Sequence, residues 1–246
     1  MLSKNQQKFI SSLALKKNRE EQQCFVVEGV KPVDELLSSG WPVRSVAAVP
    51  EWLTAARKNR LEKSGVEFTE ASAADLEKIS QLKTANQVIA VAGIKPSSVP
   101  DLRSGFFIAL DRINDPGNLG TIIRIADWFG LKGVICSPET ADCFNSKVVQ
   151  STMGSLFRVP VIYQPLEELI SQAASKNIPV YLADMDGTPL NEVKFGKTGI
   201  LIMGSESHGV NDMLKSPQNK KITIPKAGNA ESLNVAVAAG IICSRL

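Results

Sequence analysis

Ile222-Thr223-Ile224-Pro225-Lys226-Ala227-Gly228-Asn229-Ala230-Glu231-Ser232-Leu233-Asn234-Val235-Ala236-Val237-Ala238-Ala239-Gly240 is the stretch from which the rest of the chain can be read. A short strand (Lys221–Ile224) ends in a loop, and a helix (Leu233–Cys243) follows. Ser232 is the candidate cap of that helix, and Asn234 falls in its first turn, where it can brace the loop or a ligand. The helix is rich in alanine and apolar almost all round, so it must be buried inside the domain or against another copy of the chain.

Two further stretches upstream repeat the strand-then-loop pattern. The apolar strand Gly199–Met203 runs into Gly204-Ser205-Glu206-Ser207-His208-Gly209. Gly204 permits a ligand to approach the backbone. Glu206, at the strand's carboxyl end, can hold a polar group of substrate or loop, or can be merely solvated. His208 reads as incidental. Further back, the strand Phe106–Leu110 leads into Asp111-Arg112-Ile113-Asn114-Asp115-Pro116-Gly117-Asn118-Leu119-Gly120-Thr121-Ile122-Ile123-Arg124. Asp-Pro-Gly-Asn is turn chemistry. Asn118 is expected to cap the helix Leu119–Phe129, leaving N–H groups that can meet an anion. Arg124 lies six residues on, within reach of the same strand end. The dinucleotide fingerprint GxGxxG is absent. Taken singly, each stretch also reads as an ordinary capped loop.

Between and around these stretches, strands alternate with helices. Strands are expected at Gly133–Cys136, Val159–Tyr163 and Val180–Ala183, and helices at Ser146–Met153, Leu166–Ser175 and Val210–Leu214. That alternation implies crossover connections, a mainly parallel sheet and ligands at the strands' carboxyl ends. Lys95-Pro96-Ser97-Ser98-Val99-Pro100-Asp101 reads as a linker, which gives domains at 1–94 and 105–246 joined by 95–104. The first domain reads as a small α/β unit. A helix over 4–18 places Lys4, Lys8 and Arg19 on a solvated face opposite Phe9, Ile10 and Leu13.

Composition narrows the function. Hydrophobic residues at 43% and charged residues at 22% describe an ordinary globular protein. No apolar run is long enough to cross a bilayer and the N-terminus has no signal core, so a cytoplasmic protein without membrane contact is expected. The net charge of +3 lies wholly in residues 1–100, which hold 14 Lys+Arg against 11 Asp+Glu. A mildly basic first domain suits a phosphate backbone. Cys24, Cys136, Cys143 and Cys243 form no CxxC pair, and His208 is the single histidine. A zinc site and a Ser–His–Asp triad are therefore poorly supported, and no metal is expected.

The ordered set N-L-G-x-x-x-R, G-S-E-x-x-G and I-P-x-x-G-x-x-E-S-L-N-V-A-V-A resembles the three motifs of the SpoU (TrmH) family of SPOUT RNA methyltransferases. Phe25-Val26-Val27-Glu28-Gly29-Val30-Lys31 is similar to the ribosomal-protein-like substrate-binding domain often joined to them. The resemblance implies an α/β fold whose mainly parallel sheet carries a C-terminal deep trefoil knot, an exception to the rule against knots. It implies transfer of a methyl group from S-adenosylmethionine to a ribose 2′-hydroxyl of RNA, most of all 23S ribosomal RNA, with S-adenosylhomocysteine as product. It assigns Arg124, Asn118, Glu206, Ser232 and Asn234 to the catalytic set and Gly204, Ile224, Pro225, Gly228 and Leu233 to the cofactor. It also implies a homodimer through the knot domain. Lys4, Lys8 and Lys31 are the candidate RNA contacts. Ser205 stands where asparagine or alanine is common in the family, and Lys31 where arginine is common. The alternatives are a tRNA ribose methyltransferase and a non-catalytic RNA-binding ribosome-assembly factor of the same fold.

Overall fold

The structure, a computed structural model, describes residues 2–82, 84, 86–98, 100–205 and 208–246. The chain divides into two compact units, one of Met1–Pro96 with Phe144–Phe157 and one of Ser97–Cys143 with Arg158–Leu246.

In the first unit, α1 (Lys4–Ser12) and α2 (Lys16–Gln22) precede β1 (Cys24–Glu28), α3 (Val30–Ser38), β2 (Val43–Ala48), α4 (Ala55–Lys63), β3 (Glu67–Glu70), α5 (Ala73–Ile79) and β4 (Val88–Gly93). The strand order is β1-β4-β2-β3, with β4 antiparallel to both β1 and β2 and with β3 parallel to β2. The single helix expected over 4–18 is two. Arg19 is not on a solvated face: it is 3% exposed, and its guanidinium donates to Leu13 O and Ala14 O, both at 2.8 Å. Carbonyls at the end of α1 lack helical partners, and the folded-back arginine satisfies two of them while the chain breaks at Leu13–Leu15.

The second unit begins with β5 (Phe106–Leu110), α6 (Pro116–Trp128) and β6 (Val134–Cys136). Next comes α7 (Ser146–Thr152), which belongs to the first unit. There Phe144 stacks on Phe25 with centroids 4.7 Å apart, and Phe157 meets Trp41 at 5.5 Å. Trp41 Nε1 donates to Phe157 O at 3.1 Å. The second unit resumes with β7 (Val161–Tyr163), α8 (Leu166–Ser175), β8 (Val180–Pro189), β9 (Gly199–Met203), β10 (Lys220–Thr223) and α9 (Val235–Cys243). The sheet order is β10-β8-β9-β5-β6-β7, and every neighbouring pair is parallel. β5 and β9 lie in the interior of the sheet and are buried along their whole length, as continuous apolar runs require. Phe107, Ala109, Ile200 and Ile202 pack with Leu169 of α8 and Leu214 in one core cluster.

Two elements differ from expectation in ways that shape the site. The helix expected at Val210–Leu214 is one 3₁₀ turn, Asp212–Leu214, started by the Asn211 side chain accepting from Met213 N at 3.2 Å. β8 continues past Ala183 to Pro189, and its pairing with β10 jumps: Lys221 faces Leu182, but Ile222 faces Thr188. Residues 183–187 are thereby excluded from the ladder. A Cβ on Gly187 would lie 2.7 Å from Lys221 C and 2.8 Å from Ile222 N, so β10 crosses the base of that excluded segment where only glycine fits.

Candidate functional site

β5 and β9 end side by side, Leu110 opposite Met203, and the chain leaves both strands at the same edge. Asp111 fastens the exits together. Its N–H donates to Met203 O at 2.9 Å, and its carboxylate, 5% exposed, accepts from Arg112 Nε at 3.0 Å, Arg112 Nη2 at 3.1 Å and Asn211 N at 2.7 Å. Arg112 takes the left-handed conformation, φ 56°, and its N–H donates to Ser137 Oγ beyond β6 at 3.0 Å. The hydrogen bond to Asp111 pushes the Arg112 guanidinium above its ordinary range. Neither residue was given a role from sequence. The available signal was a charged pair immediately after a fully buried strand.

α6 is capped by Asp115, which accepts from Asn118 N at 2.8 Å, with Pro116 at the first helical position. Asn118 is therefore not the cap; it sits inside the first turn, and its side chain serves another task. That task is visible: Asn234 Nδ2 donates to Asn118 Oδ1 at 3.0 Å. Asn234, not Ser232, caps α9, its Oδ1 accepting from Ala236 N at 3.0 Å and Val237 N at 3.2 Å. The first and third motifs thus meet through one amide–amide bond. Below it, α9 packs on α6, with the bare face of Gly240 against Ile125. Arg124 is exposed on α6, and among the described residues no hydrogen bond or ion pair engages its guanidinium.

Beside this junction lies a cavity of about 560 Å³. Its walls come from the segment excluded from β8, the loop after β9, the loop between β10 and α9, and the inner face of α9. Gly204, Ile224, Pro225, Gly228 and Leu233 line it, together with Ser232 and His208. Asn118, Arg124 and Asn234 stand outside that lining, and Glu206 lies outside the described residues. Gly204 does permit a close approach, but of the chain itself: a Cβ there would overlap the backbone of Gly209 and Val210. Ser205 and Gly209 pair across this tight loop, Gly209 N donating to Ser205 O at 2.8 Å, with Gly209 at φ 62°. Among the described residues no hydrogen bond engages the backbone of residues 225–233, so a run of peptide donors and acceptors remains available beside the cavity.

All four cysteines are buried, and none is in a disulfide. Burial pushes the Cys243 thiol up to about 12 and Cys136 well above its ordinary value, which disfavours the reactive thiolates. Among the described residues no group of His, Cys, Asp or Glu is arranged to hold a metal ion. Lys4, Lys8 and Lys31 are exposed on the first unit.

Comparison with known proteins agrees with this geometry. The model of the SpoU rRNA Methylase family matches residues 105–244, and that of the MRM3-like substrate binding domain matches residues 4–90. A 23S rRNA (guanosine(2553)-2′-O)-methyltransferase of Bacillus subtilis is 33% identical, covering 99% of this chain and 97% of its own length. A solved structure described as a putative RNA methyltransferase of the TrmH family from Porphyromonas gingivalis superposes with a TM-score of 0.88 at 35% identity, covering 100% of this chain and 98% of that one. An AdoMet-bound rRNA methyltransferase from Sinorhizobium meliloti superposes with a TM-score of 0.89 at 30% identity, covering 100% and 95%.

Proposed function

Since the chain belongs to the SpoU rRNA methylase family, we propose that it methylates a ribose 2′-hydroxyl of 23S ribosomal RNA with S-adenosylmethionine as donor. The observation that carries this reading is the cavity at the carboxyl edge of β8, β9 and β10, adjoining the Asn118–Asn234 bridge. It suits the donor: its size accommodates a nucleoside with an amino-acid tail, its walls include Met203, Ile222 and Ile224, and the backbone of 225–233 offers hydrogen bonds.

S-adenosylmethionine supplies a methyl group already made electrophilic by its sulfonium. The chain must therefore align a ribose hydroxyl with that methyl and help a proton leave a poor nucleophile. Gly204, Ile224, Pro225, Gly228 and Leu233 hold the donor. A guanidinium makes a poor base, so Arg124 takes a different part. It clamps an RNA phosphate and stabilises the developing alkoxide, with the proton passing to water or phosphate. Asn118 and Glu206 orient Arg124 and the ribose. Ser232 and Asn234 shape the donor loop, and the cap made by Asn234 fixes where that loop ends.

The same reading extends to architecture. A deep trefoil knot is supported by the passage of β10 across the segment excluded from β8. A homodimer is supported by exposed apolar residues four apart, Leu233 just before α9 and Val237 and Ile241 on it. Residues 1–94 serve as the RNA substrate-binding domain, 95–104 as linker and 105–246 as the methyltransferase domain, with Lys4, Lys8 and Lys31 at RNA phosphates. No helix among the described residues is long and apolar enough to cross a membrane. A cytoplasmic location follows from the substrate.

Tritium transfer from labelled S-adenosylmethionine into 23S rRNA of a strain lacking the gene, followed by mapping of ribose methylation, tests the function. A single labelled 2′-O-methyl nucleotide is expected. Failure to label any RNA from that strain overturns it.

A further inference from the structure

Asp184 stands where the regular pairing of β8 ends and is one of the residues lining the cavity, its side chain only 19% exposed. Its Oδ2 faces two ammonium groups, Lys215 Nζ at 3.5 Å and Lys221 Nζ at 4.0 Å. Both distances exceed the roughly 2.7–2.9 Å of a direct charge-assisted hydrogen bond. Oδ1 accepts one long bond, from Asp186 N at 3.3 Å. A carboxylate has about four acceptor sites. These contacts therefore fix the direction of the group without exhausting its capacity to accept. Glu231 also lines the cavity but is exposed at its mouth.

Two properties of a donor could engage such a carboxylate: the positive sulfonium or the vicinal diol of the ribose. The flanking lysines decide between them. Lys215 Nζ also meets Asp212 Oδ1 at 2.9 Å, so two ammonium groups stand among two carboxylates and the cluster carries no net negative charge with which to select a cation. What remains is a fork of acceptor oxygens past the end of a parallel strand, and two neighbouring hydroxyl donors match that fork. We propose that Asp184 is a specificity-determining residue of the donor pocket, accepting hydrogen bonds from the ribose diol of the adenosyl group, with Lys215 and Lys221 holding it in place. The proposal rests on the S-adenosylmethionine reading above.

Calorimetric titration separates the possibilities. The probes are S-adenosylmethionine, S-adenosylhomocysteine and the 2′,3′-dideoxy analogue of S-adenosylhomocysteine, titrated into the full chain and its Asp184→Ala and Asp184→Asn variants. Asp184→Ala is expected to weaken the two diol-bearing ligands equally, by at least ~tenfold. The dideoxy analogue should bind the unaltered protein about as weakly and lose nothing further in the variant. Asp184→Asn, which keeps one acceptor and the shape, should recover part of the loss. Three results overturn the proposal: a larger loss for S-adenosylmethionine than for S-adenosylhomocysteine, a further loss for the dideoxy analogue in Asp184→Ala, or undiminished binding of that analogue by the unaltered protein. The last needs no variant, so a variant that fails to fold does not blunt the test. If the unaltered protein takes up neither natural ligand, the donor reading itself fails.

Discussion

Asn234 performs two tasks with one amide: its oxygen closes the open end of α9 and its nitrogen reaches Asn118 on α6. Alanine at this position removes both. Loss of the cap alone costs about 1 kcal/mol, roughly 2–4 °C in Tm for a chain of this size. Asn234→Ala should show that shift by calorimetry together with weaker donor binding, because the donor loop loses its fixed end. Asn234→Ser keeps a capping oxygen without the reach to Asn118, and should recover the Tm but not the donor affinity. Arg124 is the opposite case, exposed and with no hydrogen bond or ion pair to its guanidinium among the described residues. Arg124→Ala should leave Tm and donor affinity unchanged while single-turnover methyl transfer falls by about 10²–10³-fold, the scale of a lost transition-state donor. Unchanged transfer would remove Arg124 from the mechanism.

At the scale of elements, Gly187 shows how a single missing side chain sets a crossing. Gly187→Ala would push on the backbone of Lys221 and Ile222, and the displaced β10 carries one wall of the cavity. The expected result is loss of donor binding in titration with the far-UV circular dichroism of the sheet largely kept. Elements written in local pattern were legible in the sequence. Phe106–Leu110 and Leu166–Ser175 have the bounds the periodicity predicts, because a buried run or an amphipathic repeat is a local signal. The strand exits and most of the cavity lining were legible for the same reason, since loops at carboxyl ends follow from parallel order. What escaped depends on partners distant in sequence. The polar stretch Asp184–Thr188 reads as loop, and only β10 extends the strand beyond it. Arg19 reads as solvated on one long helix, and only the carbonyls of a broken α1 bury it. Asp115 and Asn118 are both good caps by type, so geometry alone chose between them.

At the scale of the whole molecule, the outward stripe on α9 bears on assembly. Val237 is 52% exposed and Ile241 37%. If these residues meet a second copy, a Val237→Glu, Ile241→Glu double variant should halve the mass read by light scattering, whereas the unaltered chain should remain dimeric at micromolar concentration. A further consequence comes from residues 144–157, which leave the parallel sheet after β6, complete the first unit with Phe144 and Phe157 against Phe25 and Trp41, and return before β7. The polypeptide therefore passes between the two units three times. A protease that nicks the Pro- and Ser-rich stretch around residues 95–98 would cut one tether of three. Both fragments should then elute together from a sizing column, and come apart only when urea melts the aromatic clasp.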